Sequence, residues 1–102
     1  LMVLPRRAVP TLAGLTDEAH DELWATVRDA VAAVESAFSP GGVNVGLNLG
    51  VAAGAGVPGH LHVHVVPRWA GDTNFTTTTA DLRVLPEALG ASWRRLREAW
   101  PS

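Results

Sequence analysis

Residues 58 to 69 read PGHLHVHVVPRW. Within this run, HLHVHVV (60–66) alternates: His60, His62 and His64 on even positions, Leu61, Val63 and Val65 on odd ones. A period of two is the mark of a β-strand with one face buried and the other turned elsewhere. Same-face neighbours on a strand lie roughly 6.5–7 Å apart, so three imidazoles in register would line a site about as long as a phosphate chain. The chain has four histidines in all, and three on one strand face call for a chemical reason.

Upstream, VNVGLNLGV (43–51) alternates as well. Val43, Val45, Leu47, Leu49 and Val51 face one way; Asn44, Gly46, Asn48 and Gly50 face the other. The glycine-rich stretch AAGAGVPG (52–59) joins the two runs, and Pro67 is expected to end the second. The two strands are expected to pair antiparallel. Their aliphatic faces would then pack on a helix, with asparagines and histidines together on the opposite side.

The helix for that packing lies just before. Thr16 can cap it, and Asp17 and Glu18 fall where the helix dipole favours negative charge. Leu23, Val27, Val31, Val34 and Phe38 follow at spacings of 4, 4, 3 and 4, which is one helical stripe, and SPGG (39–42) stops it. LMVLP (1–5) reads as a short strand ended by proline, and RRAVPTLAGL (6–15) as a loop. After RWAGDTNFTTTTADLR (68–83), read as loop, Pro86 can open a last helix carrying Leu89, Trp93, Leu96 and Trp100 as its apolar stripe. Arg94, Arg95 and Arg97 are expected on its outer face, and Trp93 and Trp100 in a core or an interface.

The chain has 102 residues, no cysteine and a net charge of −2. One domain over 1–102 follows, with room for a core. Disulfides and thiolate metal sites are excluded, a pattern that fits a cytoplasmic protein. Gross charge gives no reason to expect a nucleic-acid or anionic-membrane partner, and no apolar run approaches the roughly 20 residues of a bilayer span. The opening on an apolar run, with no initiator methionine at its head, reads like the inside of a strand, so an upstream part is expected.

Three readings of the histidine run stand side by side. It could be a solvated face. It could be a metal site, since imidazole is a common zinc ligand, although the neighbouring strand offers asparagines rather than carboxylates. It could act on an anion: imidazole serves as nucleophile, acid or donor near neutral pH. Phosphate suits the third reading, because Gly54, Gly56 and Gly59 allow close backbone approach and Arg68 supplies a cation. Asn44 and Asn48 share the histidine face. Trp69 is either a packing residue or a platform for a base, Asp72 and Asn74 read as turn residues, and His20 as a surface histidine on the first helix.

HLHVHVV has the His-φ-His-φ-His-φ-φ pattern (φ apolar) of the histidine triad, or HIT, family, and GVNVGLNLGVAAGAGVPG resembles the strand and loop that precede the triad there. HVVPRWAGDTNF and RVLPEAL look most like the branch found in actinobacteria that cleaves diadenosine polyphosphates. The resemblance runs over nearly the whole chain. It implies an α+β fold: an antiparallel sheet with a long helix and a C-terminal helix, further N-terminal strands being expected upstream of Leu1. It implies a homodimer, and cleavage of a dinucleoside polyphosphate at an α-phosphate, by phosphorolysis or hydrolysis; the alternative is a module that keeps the triad and binds a nucleotide or a metal without turnover. His62 would attack phosphorus and carry the nucleotidyl group, His64 would bind phosphate and assist the leaving group, and His60 would orient and polarise the site. Asn48, with Asn44, Gly56, Arg68 and Trp69 around it, would bind phosphate or nucleoside. No cofactor is implied beyond a divalent metal travelling with the substrate's polyphosphate, and orthophosphate is a candidate second substrate. Many relatives carry glutamine or serine just before the triad. This chain has Ala55 and Gly56, so backbone amides are expected to substitute. Where relatives have a histidine after the first strand, this chain has Ala8.

Overall fold

A computed structural model describes residues 1–56, 59–71 and 89–101, with nothing given for the Leu89 side chain. Asp72, Asn74, the threonines at 76–79 and Pro86 lie outside the described residues.

The long helix forms where its stripe predicts. α1 spans Asp17–Phe38, and the Thr16 hydroxyl accepts the Ala19 N–H at 3.1 Å, closing the first turn. Its buried residues are Leu23, Val27, Ala30, Ala33, Val34 and Phe38. The helix stops at Ser39, a left-handed residue with φ of 45°, followed by Pro40, which cannot continue it.

Among the described residues three strands make one antiparallel sheet: β1 (Met2–Val3), β2 (Gly42–Gly46) and β3 (Val63–Arg68), in the order β1-β3-β2. β3 buries Val63, Val65 and Pro67 and turns His64, Val66 and Arg68 the other way. Val3, Val63 and Val65 meet the α1 stripe to form the core, which Leu61 closes. Val63 and Val65 are 0% exposed. Burying a valine or leucine side chain of this kind stabilises by about 1.5–3 kcal/mol, so these contacts decide which face of the sheet looks inward. A last helix, α2 (Leu89–Ala99), packs on α1.

The register bears out the shared polar face. Asn44 pairs with Val66, and Gly46 with His64, so the asparagine face and the histidine face coincide.

Three expectations change. First, β3 begins at Val63 rather than at His60, and it runs through Pro67. Val65 donates its N–H to the Leu1 carbonyl at 2.9 Å. Alternate residues of a strand send their N–H to the same side, so Pro67 lacks only a donor that would point past Leu1, away from β2. Proline therefore costs the β2 ladder nothing.

Second, β2 ends at Gly46 and does not extend to Val51. Gly50 (φ 85°) turns the chain into a 3-10 turn over Val51–Ala53, which leaves Val51 72% exposed. Val45 and Leu49 are exposed too, and only Val43 and Leu47 pack against the core edge.

Third, α2 turns a different side inward. Ser92 is buried and Leu96 packs on the core, while Trp93 (57% exposed) and Trp100 face out, so neither tryptophan is a core residue. Arg95 is exposed, as expected, but reaches back to α1. Its guanidinium lies over the Phe38 ring at 4.7 Å and donates to the Ala37 carbonyl. α1 has no basic residue in its last turn, so α2 brings the cation to that helix end from elsewhere in the chain.

Candidate active site

The site is assembled around the segment just before β3, and what holds that segment is the connection between β1 and α1. Pro5 lacks an N–H and cannot extend the β1 ladder. Its carbonyl instead accepts the Nε2–H of His60 at 3.0 Å. Four residues on, the Val9 carbonyl accepts the Leu61 N–H at 2.8 Å. Leu61 is thereby drawn into the core while His60 stays partly exposed.

His62 is 9% exposed, and its Nδ1 lies 3.1 Å from the His60 carbonyl. A carbonyl only accepts, so Nδ1 carries the proton, and in the neutral ring Nε2 holds the lone pair. This is the tautomer a nucleophilic imidazole requires. The His64 ring stands nearly perpendicular to that of His62, at 81° with centroids 4.7 Å apart. Its pKa lies below the usual 6.5, first because burial disfavours the imidazolium and then because a charged His62 would repel it. Near neutral pH His64 is therefore an uncharged ring, able to donate one hydrogen bond beside His62.

The three histidines are not equivalent. His62 and His64 are brought ring to ring, whereas the ring of His60 is tied to Pro5 and its backbone carbonyl serves His62. The alternation in sequence could not separate these roles, because the segment at 60–62 lies outside the strand. Among the described residues, no three of His, Cys, Asp and Glu gather as a metal site.

The other predicted residues spread along the same face. Arg68 donates to the Asn44 side-chain oxygen at 2.6 Å, across the β2–β3 pair. It stands four residues from His64, roughly 13 Å along the strand. Asn44 therefore positions Arg68 at the far end of the histidine face. Asn48, just past β2, sits against the glycine loop, its amide nitrogen 3.7 Å from where a side chain on Gly54 would begin. Gly54 needs glycine for its φ of 93°.

The expected amide cradle is smaller than the glycine count suggested. The Gly54 N–H goes to the Val51 carbonyl and the Ala55 N–H to the Gly50 carbonyl, both within the turn. Gly56 and Gly59 have open space around them and remain the candidate donors. Trp69 packs partly against the core. His20 stands edge-on to Trp24, its Nδ1 3.3 Å from Asp21 on the exposed side of α1, away from any of these groups. Sequence reasoning missed Pro5 and Val9, whose side chains carry no sign of the use made of their carbonyls.

These features define a class: an α+β domain that presents a lone-pair nitrogen of imidazole, held in one tautomer, beside a second imidazole on a polar, glycine-bordered sheet face. The HIT domain model matches residues 1–71, and the chain belongs to that family. It is 46% identical over 100 residues to an AP-4-A phosphorylase of Mycobacterium tuberculosis, covering 98% of this chain and 51% of that protein. It is 42% identical over 72 residues to an asymmetrical bis(5'-nucleosyl)-tetraphosphatase of Schizosaccharomyces pombe, covering 71% of this chain and 39% of that protein. The chain thus spans about half the length, or less, of these curated relatives. The fold matches the crystal structure of a hypothetical histidine triad nucleotide-binding protein from Sulfolobus tokodaii, with a TM-score of 0.75 at 23% identity, over 96% of this chain and 66% of that one.

Proposed function

We propose that the protein cleaves dinucleoside polyphosphates at an α-phosphate through a nucleotidyl group carried on His62, and that orthophosphate accepts that group. The observation that carries this reading is the Nδ1–H bond from His62 to the His60 carbonyl, which directs the lone pair of the ring to Nε2. That nitrogen attacks the α-phosphorus of diadenosine tetraphosphate. The bond to the bridging oxygen breaks, and ATP leaves with the electron pair. An oxygen of orthophosphate then attacks the same phosphorus, the P–N bond breaks, ADP is released, and the imidazole is restored. One difficult displacement becomes two easier ones.

His64 donates to the phosphate and steadies the leaving oxygen. Asn48, Gly56, Arg68 and Asn44 border the phosphates, and Trp69 stands beside them for the nucleoside. Neither step needs a cofactor, a divalent cation entering only with the substrate. The M. tuberculosis relative's name supports phosphate as the acceptor. The S. pombe relative's name favours a second reading, in which water is the acceptor and the products are AMP and ATP. We also infer a cytoplasmic location, which the cysteine-free composition fits, and a homodimer, for which the exposed Trp93 and Trp100 of α2 offer a surface. Among the described residues no helix is long and apolar enough to cross a membrane.

Product analysis tests this directly. With diadenosine tetraphosphate and orthophosphate the protein is expected to form ADP and ATP in equal amounts, and radiolabel from the phosphate should enter ADP. His62→Ala should lose both the activity and a labelled adduct trapped by rapid quench, while keeping its fold. AMP formed at a rate indifferent to phosphate would make water the acceptor. An adduct that survives in His62→Ala would overturn the assignment of the nucleophile.

A further inference from the structure

The β2–β3 register leaves a bare lane beside the histidines. Gly46 pairs with His64 and Gly42 with Arg68, and Asn44 lies opposite Val66 between them. A side chain on either glycine would meet nothing within 4 Å. Neither has the positive φ that favours glycine, so neither packing nor backbone conformation requires that residue here. Glycine inside a strand weakens it, and often marks a place where a ligand approaches the backbone closely. The lane starts at His64 and ends at Arg68.

Arg68 leaves the backbone four residues from His64, but its guanidinium is drawn back. It donates to the Asn44 side-chain oxygen at 2.6 Å, and Asn44 stands opposite Val66. Val66 is two residues from His64, roughly 6.5–7 Å along the strand. A guanidinium carries five N–H donors in a rigid fork, so the bond to Asn44 is compatible with a phosphate on the same group. In the reaction proposed above, on which this inference rests, His62 takes the scissile phosphorus and His64 the leaving oxygen. The line from His62 through His64 continues along the lane to the cation, and a leaving polyphosphate would follow it.

We infer that Arg68, aimed by Asn44, determines specificity for the length of the leaving polyphosphate. It meets the last phosphate of a leaving nucleoside triphosphate, the one next to the second nucleoside. A leaving diphosphate is one phosphate shorter and brings its neutral ribose to the same place. Arg68 touches the substrate, whereas Asn44 is a positioning residue that acts through Arg68.

The test measures kcat/KM for diadenosine tetraphosphate and diadenosine triphosphate with the intact protein, Arg68→Gln, Arg68→Lys and Asn44→Ala. The readout is the ratio of the two values, since a merely structural loss lowers both alike. The wild-type ratio is expected to favour the tetraphosphate by about tenfold or more, the worth of one charge-assisted hydrogen bond. Arg68→Gln should bring the ratio to within about threefold of one. Arg68→Lys, which keeps the charge and loses the fork, should keep part of the preference. Asn44→Ala should lower the ratio in the wild type and add nothing in Arg68→Gln. A wild type without the preference, or an Arg68→Gln variant that keeps it, overturns the inference. If Arg68→Gln fails to fold, Asn44→Ala decides alone: a lowered ratio supports the inference and an unchanged one overturns it. Calorimetric Kd values for the same two dinucleotides on His62→Ala, with and without Arg68→Gln, repeat the comparison without turnover. A wild-type protein that cleaves neither dinucleotide would defeat the proposed reaction, and the Kd ratio would then decide the role of Arg68, so the two failures are distinguishable.

Discussion

His62 and His64 differ by two positions in sequence and by their whole environment in space. One donates to a carbonyl and is nearly enclosed; the other stands edge-on to it and is partly open. Burial, and then His62, hold the pKa of His64 below 6.5. The unfolded chain therefore binds a proton at this position more readily than the folded one. The contribution to stability is complete above about pH 6.5 and is lost as pH falls through the lowered folded value. Urea unfolding is expected to give a flat free energy from pH 7 to 8 that declines below about 6.5, and His64→Gln should reduce that decline. A wild-type profile unchanged down to pH 5 would contradict the assignment.

The two ends of α1 show how much a single position contributes to an element. The Thr16 hydroxyl satisfies the Ala19 amide at the start, and Thr16→Ala is expected to cost about 1 kcal/mol in denaturant unfolding. At the other end Ser39 adopts a φ of 45° that favours glycine. Ser39→Gly should stabilise by about 0.5–1 kcal/mol, since the left-handed conformation costs a side-chain-bearing residue more than it costs glycine. Opposite signs at the two ends, by the same measurement, check both assignments. The sheet is economical in a different way. Proline is tolerated in its central strand because the donor it lacks would point away from β2, and glycine at Gly50 and Gly54 turns the chain back before β2 can lengthen.

At the scale of the molecule, β2 is a sheet edge among the described residues, and Val45 on it and Leu49 and Val51 after it are exposed, while α2 exposes Trp93 with Arg97 stacked on it at 5.1 Å. Unpaired edges and exposed apolar groups are features that association removes. The protein is expected to sediment and scatter as a homodimer at tens of micromolar and neutral pH. A monomer mass under those conditions would remove the dimer from the proposed function.

The sequence by itself determined the elements with a local cause. The α1 stripe at 23, 27, 31, 34 and 38 and its Thr16 cap, the alternation that sets Val63 and Val65 inward, and the antiparallel pairing that puts asparagines with histidines all follow from short-range periodicity and from the cost of exposing aliphatic side chains. The family was legible for the same reason, since its signature lies in one contiguous run. Tertiary structure alone decided what depends on carbonyls and on distant partners. It ended β2 at Gly46, passed β3 through Pro67, turned Arg95 onto the end of α1, and spent the Gly54 amide inside its own turn. It also divided three apparently alike histidines into one whose Nδ1 meets a backbone carbonyl, a ring-to-ring neighbour and one tied to Pro5. Every residue carries a carbonyl, and nothing in the one-letter pattern says which of them a folded chain will bring within 3.0 Å of an imidazole.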